Sequence, residues 1–485
     1  MASAGRDLKL LAGQIGNAGK DGVTLLQAGN NLNLATVTTA SSNALNWDAN
    51  NYRKDSTTTE VGSQVQANGA IVLKAGADIN ARAANVQAGT SLAAIAGNNI
   101  NVVAGVNAVT VDEGHQRTEK SFLHKELITP RDTLNRTSAL GSSLGGTSVN
   151  LVAGNDLKVM GSAIAGDAGV SLTAGNAITI TAATETSKEE HARTVKESGF
   201  LSGGGFGISY GTRTTSTDHQ LDASLQSGQA RSLVGSVGGN LTLNAGAAIN
   251  IAGSDLTAGK DISLAGKSVT ITPGQDQVDG KFTSKMTQDG FTLAVGGSVV
   301  NAIQTTQAMS DAVGQAKSSR VTAMAAATTA MAAKYAADDI ARNGVSISVS
   351  LTAGHSESEQ TQTTASTTHS GSTLAAGNNV AISAISATGG GKDSNITIVG
   401  SDIGARNNIA LKAGNQVTLL AAQDLESQHS QSKSLSAAAG VAAGFSSKGD
   451  PVVGIIGSLA ASRGTENGEG TTQVNSHVSA GAQLS

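Results

Sequence analysis

Cysteine is absent from this 485-residue chain. That excludes a disulfide framework and thiolate zinc sites, and it permits secretion without requiring it. Large rings are almost missing as well, with 1 Trp, 3 Tyr and 6 Phe. An ordinary globular core for a chain this long buries many such rings, so a string of conventional domains is disfavoured. Charged residues make up 14% and the formal net charge is −4. No basic surface for nucleic acid follows from that balance, and the charge content is too low for a typical disordered chain. No apolar run is long enough to span a bilayer, and Met1 to Asp7 lacks the apolar segment of a signal peptide.

What is abundant is glycine, at 60 residues, and a hydrophobic fraction of 39% carried by Ala, Val, Ile and Leu. Such side chains fill a narrow core, as in a repeat architecture. The repeat is visible. Ala-Gly, two mostly polar residues and then alternating apolar and polar residues occur at Ala28 to Leu34, Ala96 to Val102, Ala153 to Val159, Ala258 to Leu264, Ala376 to Ile382 and Ala413 to Leu419. Gly with Asn or Asp makes a tight turn, and the period-2 tail is a short strand with one buried face. Within a block the turn glycines step as Gly76, Gly89 and Gly97, a circuit of about 20 residues. Strands this short bury their apolar face only by stacking on copies of themselves. The expected fold is therefore all-β: a right-handed parallel β-helix of roughly twelve coils at about 4.8 Å each, with Asn ladders at the turns. Ile251, Ile262, Val269, Ile398, Ile409 and Val417 are expected to point into one shared core.

Polar stretches at about 38–66, 110–147, 182–232, 273–373 and 421–477 interrupt the repeats within what reads as a single β-helix over 1–485. In the third, a polar arm, the glycines Gly203 to Gly205 and a second polar arm read as a two-stranded ribbon. The fourth carries an Ala-rich helical insertion, a pair at 298–342 with Asn343-Gly344 as its stop. Met309, Met324 and Met331 with Val313 and Ile340 make an apolar stripe there. It suits packing of the two helices as a hairpin against the coil, or contact with a foreign membrane or receptor as the sharper reading. The insertions also hold Trp47, Tyr52, Phe122, Phe200, Phe206, Tyr210, Phe282, Phe291, Tyr335 and Phe445, so partner contact is expected there and not on the bland coil faces.

Signs of chemistry are weak. Ala265-Gly266-Lys267-Ser268 has the end of a phosphate-binding loop, but Asp261 occupies the position of its upstream glycine and a strand follows, which makes it a repeat turn. The histidines, among them His115, His124, His191 and His219, fall in the insertions without metal-ligand spacing. Asn155-Asp156 and Asp255 lack the calcium-binding nonapeptide pattern. No catalytic, cofactor-binding or metal-binding residues are expected, and no cofactor. β-Helices also host polysaccharide lyases and hydrolases, but the strand faces here present Ser, Thr, Asn and Ala and not convergent carboxylates.

The Ala-Gly-Asn-Asn/Asp-Leu/Ile repeats, the blocks Gly253-Ser254-Asp255-Leu256 and Gly400-Ser401-Asp402-Ile403, the glycine-rich tip near Phe206 and the run Val345 to Leu351 resemble the haemagglutinin-repeat regions of filamentous-haemagglutinin-like exoproteins of two-partner secretion systems. The likeness covers nearly the whole chain and is greatest to contact-dependent growth inhibition exoproteins. It implies a secreted, outer-membrane-associated surface protein whose repeat region supports delivery of a C-terminal toxin into neighbouring bacteria. The implied partners are an outer-membrane transporter and a target-cell envelope or receptor. The alternative is the shaft of an adhesin. Ala4 to Leu8 and Ala480 to Leu484 already read as repeat, so the chain is expected to be an excised fragment.

Overall fold

A computed structural model describes residues 1–202, 207–296, 347–385, 391–445 and 451–485. The shaft is a parallel β-helix in which each coil contributes three short strands. One coil runs Ala70–Ala75, Ile79–Arg82 and Asn85–Ala88, and the next opens with Ser91–Ala96 and Ile100–Val103. Equivalent residues stack in parallel register: Ile71 with Leu92, Ile79 with Ile100, Val65 with Val86. The second face is a continuous 10-stranded sheet from Leu8–Leu11 to Gln416–Leu420, so the shaft has ten coils and not the roughly twelve expected. The separation of stacked residues is 21, as for Asn80 and Asn101, the same as that between Gly76 and Gly97.

Alternation along each strand puts every second residue inside. Ile71, Leu73, Ile79, Val86, Leu92 and Ile100 are all 1% exposed or less. Ile251, Ile262, Val269, Ile398 and Ile409 lie in the same core, but Val417 does not and is 39% exposed. It belongs to the last strand of its sheet and has a neighbour on one side only. The corner glycines explain their own spacing. A Cβ on Gly97 would lie 2.1 Å from the carbonyl oxygen of Gly76 in the coil beneath, and Gly154 stands in the same relation to Gly97. Polar ladders run alongside: Asn80 donates to Asn33, and Asn101 to Asn80, each at 2.9 Å.

All five insertions leave the shaft at one corner, between the second and third faces, and they do so in every second coil. The five uninterrupted coils turn that corner through one left-handed residue, namely Ala12, Ala83, Gly161, Gly253 and Gly400. Buried serines line it from inside. The Ser162 N–H donates to Ser232 Oγ at 3.3 Å and the Ser372 N–H to Ser401 Oγ at 3.1 Å, while the Ser372 hydroxyl donates to the Thr272 carbonyl at 2.7 Å.

Each insertion is a hairpin: Val37–Asn46 with Tyr52–Val61, Gly105–Gly114 with His124–Leu140, Glu185–Ser202 with Gly207–Leu225, Gly274–Gly296 with Ile347–Ser370, and Ala422–Phe445 with Pro451–Val474. Successive hairpins also pair with one another, giving one antiparallel 11-stranded sheet, with Arg117–Ser121 beside His124–Leu140. The geometry makes this continuous. A hairpin adds two strands of about 4.8 Å, and two coils of the shaft advance by the same distance. The sheet forms a fin along the shaft, and its strands lengthen from 10 residues to 24. The helical pair expected at 298–342 and the tip glycines Gly203 to Gly205 lie outside the described residues.

Candidate interaction surface

Ion pairs fix the root of the fin. Glu60 of the first hairpin receives Arg82 of the shaft at 2.8 Å and the N–H of Val106 in the second hairpin at 2.8 Å. Arg231 holds Asp255 through two bonds of 2.9 and 2.6 Å and reaches the Gly371 carbonyl at 2.8 Å, tying the exits of the third and fourth hairpins to the shaft.

Residues directly opposite in a sheet share a face, so the pairing defines two surfaces. On one surface, far from the shaft, a row Phe200–Tyr210–Phe291 crosses three strands. The rings of Phe200 and Tyr210 meet edge to face at 5.5 Å. Beyond it lie the rows Ile208–Leu293–Leu351–Val441–Ile455 and Val295–Val349–Ala443–Val453. These rows contain no charged residue, and their large side chains are exposed, from Val295 at 39% to Ile455 at 91%. The reverse surface there is mixed, carrying Ser209, Thr292, Thr352 and Ser350 together with Leu201, Ile456 and Val452. With Ala353, Ala439 and Gly457 completing the first row, rows across six, five and four strands, at about 4.8 Å by about 6.8 Å for each position, make a patch of roughly 490 Å². That lies in the upper half of the range for the largest apolar patch on a monomer.

Nearer the root the same surface becomes polar. A channel of about 1030 Å³ crosses the strands between Lys188, Asp222 and Asp279 on one bank and Glu190, Gln220 and Lys281 on the other. Its charges are mixed, and Lys188 already holds Asp222 at 2.7 Å.

The rings singled out in the sequence divide. Phe200, Tyr210, Phe291 and Phe445 share the apolar surface, and Phe122 stands 90% exposed at the turn of the second hairpin. Tyr52 is occupied near the root, with its hydroxyl on Asp112 at 3.1 Å, and Phe282 lies opposite His219 on the reverse surface. Phe206 and Tyr335 are outside the described residues. Lys267 follows a shaft strand and meets Asp393 at 3.0 Å. His191, His355 and His369 each bond an Asp on the adjoining strand, whereas His477 sits in a shaft strand beside Asp402 and not in an insertion. Among the described residues no group of three His, Cys, Asp or Glu could hold a metal ion. The apolar rows of the fin were not read from the sequence, although the alternation Phe291-Thr292-Leu293-Ala294-Val295 was their signal.

Comparison with known proteins places this architecture. The family model described as Hemagglutinin repeat matches residues 48–121, 131–233, 222–347 and 351–485. Similar proteins include a 16S rRNA endonuclease CdiA of Enterobacter cloacae, 34% identical over 399 residues, covering 80% of this chain and 12% of the relative. A tRNA nuclease CdiA of Escherichia coli is 33% identical, covering 77% and 12%. A Deoxyribonuclease CdiA of Dickeya dadantii is 31% identical over 492 residues, covering 99% and 14%. The chain thus spans about an eighth of the length of these relatives. No solved structure matches.

Proposed function

The chain belongs to the hemagglutinin-repeat family, and from that premise we propose that it is the delivery-supporting repeat segment of a secreted, surface-displayed exoprotein of contact-dependent growth inhibition. In this reading the parent crosses the outer membrane through a two-partner secretion transporter and stays associated with the cell surface. There it meets the envelope of a neighbouring bacterium. The nuclease activities in the relatives' names are assigned to parts of the parent outside this segment, which contributes scaffold and contact but no catalysis. The shaft supplies length and rigidity. The fin supplies contact, through membrane-facing insertions.

The observation that carries the reading is the uncharged outer zone of the fin with its exposed apolar rows. Nothing is gained in water from placing Ile455 and Val453 at 91% and 77% exposure, whereas an apolar partner recovers about 25 cal/mol for each Å² it covers. The test is Val453→Asp with Ile455→Asp in the full-length parent, with surface display and toxin entry into neighbours both measured. Normal display with lost entry is expected. Normal display with normal entry would remove the fin from the delivery step.

A further inference from the structure

Between the polar root and the apolar zone the same surface of the fin carries an unusual set of cations. One row runs Thr194–Ser216–Lys285–Glu359–Lys433–Arg463, and the next rows outward hold Lys196 with Thr214 and Lys125 with Ser198. All share the surface of Phe200, because 194, 196, 198 and 200 alternate along one strand. Lys433 stands directly opposite Arg463, and Lys120 directly opposite Lys125. Like charges placed face to face across strands destabilise a sheet. The acids in the belt are Glu357, Glu359 and Asp289. Glu357 is taken by Lys285 at 2.8 Å and Asp289 by His355 at 2.6 Å. Glu359 lies between Lys285 and Lys433. The described ion pairs leave Lys120, Lys125, Lys196, Lys433 and Arg463 without a carboxylate, and all five are exposed.

We infer that the outer surface of the fin recognises anionic, phosphate-bearing lipid headgroups, with the Lys433–Arg463 and Lys120–Lys125 pairs as their seats and the neighbouring aromatic and aliphatic rows entering the apolar layer. This rests on the membrane-contact reading and adds the class of lipid. The order along the strands supports it: cations first, then Phe200, Tyr210 and Phe291, then mainly aliphatic residues, with Phe445 beyond them. That is the order of a bilayer interface, where basic residues sit at headgroups and amphipathic rings beneath them. Lys125 lies opposite Ser198, two residues from Phe200, which is about 7 Å along an extended strand. The fork of Arg463 beside the point charge of Lys433 suits a phosphate shared between them. A neutral apolar protein surface leaves Arg463, Lys120 and Lys125 uncompensated, while Lys433 has Glu359 opposite it.

The test is sedimentation of the full chain with phosphatidylcholine vesicles, with and without phosphatidylglycerol. The expected result is strong binding only when the anionic lipid is present, weakened by salt. Lys433→Ser with Arg463→Ser should lower it about 25-fold, at about fivefold for each cation. Lys188→Ser, near the root, should leave it unchanged. Equal binding to neutral and anionic vesicles, unaffected by the double substitution, would overturn headgroup recognition and keep membrane contact. Binding to neither kind of vesicle would end both readings. A face-to-face dimer that Ile455→Asp dissociates, with no vesicle binding, would assign the surface to a second copy instead.

Discussion

Duplicating one uninterrupted coil should split the fin while leaving the shaft intact. The coil at 148–168 separates the second and third hairpins, and its strands pair in register above and below. A tandem copy adds one step of about 4.8 Å, so the strands meant to pair across that joint stand about 9.6 Å apart. The joint holds fourteen residue pairs, from His124 with Gly199 to Thr137 with Thr186. Antiparallel strands form on average one interstrand bond per pair, and at about 1 kcal/mol net each the joint is worth on the order of 14 kcal/mol at most. Stretching cannot retain it, since hydrogen bonds fail within a few tenths of an ångström. Hydrogen exchange reads the outcome. In the parent, the amides of 186–199 directed at the second hairpin are protected. In the duplicated variant those alternate amides should exchange like an open edge, while the core strands of the shaft stay protected. Duplicating 148–239 adds two coils together with the third hairpin and should restore protection. Unchanged protection after the single-coil duplication would refute the commensurate spacing of shaft and fin.

Ile262 is fully buried, so Ile262→Asp leaves a carboxylate in a dry core. A loss of several kcal/mol is expected in urea unfolding followed by circular dichroism, and an unchanged midpoint would refute the register. In the fin, the hydrogen bond and charge of Arg213 hold the Glu197 carboxyl below its ordinary value of 4.5, with burial opposing. A depressed folded value gives stabilisation that is complete above the ordinary value and disappears as pH falls through the depressed one. The stability gap between the parent and Arg213→Met should therefore be larger at neutral pH than in acid; a gap equal at both would exclude this pair as its source.

The shaft was legible in the sequence because every constraint in it is local and repeated. Gly76 and Gly97 recur because a Cβ at Gly97 has no room above the coil beneath, and Ile79 and Ile100 recur because both fill the same core position. The number of coils was overestimated, because the stretches left outside the five expected insertions hold about ten circuits of the Gly76 to Gly97 length and not twelve. Val417 escaped because burial depends on a neighbour on both sides, which its own segment does not reveal. The Ser254 and Ser401 blocks were visible as shared motifs. Their role at the insertion corner required the Ser372 N–H to be seen donating to Ser401 Oγ. The joining of ribbons into one fin was beyond a local reading. Strands rich in Ser, Thr and Gln on both sides specify register weakly. Their partners are instead set by where the shaft holds their ends.

That division of labour explains how contact is added without disturbing the scaffold. The hairpins leave at one corner and run across the shaft axis, so lengthening a hairpin leaves the 21-residue separation seen between Asn80 and Asn101 untouched. The first hairpin has strands of 10 residues and ends at Trp47 and Asp48, within the polar zone. The second reaches Phe122 and Leu123, level with the aromatic row. Only the third, fourth and fifth extend past it, and there the rows are apolar apart from Ser202. Position along a fin strand thus sets chemistry, from ion pairs at the root, through free cations, to rings and then aliphatic residues. Position along the shaft sets how many of those zones a hairpin reaches. A partner approaching the fin edge meets first the apolar rows supported by the three longest hairpins. The ten-coil shaft behind them presents mainly small polar side chains, with single exposed apolar ones such as Val23 and Val237 set apart from one another.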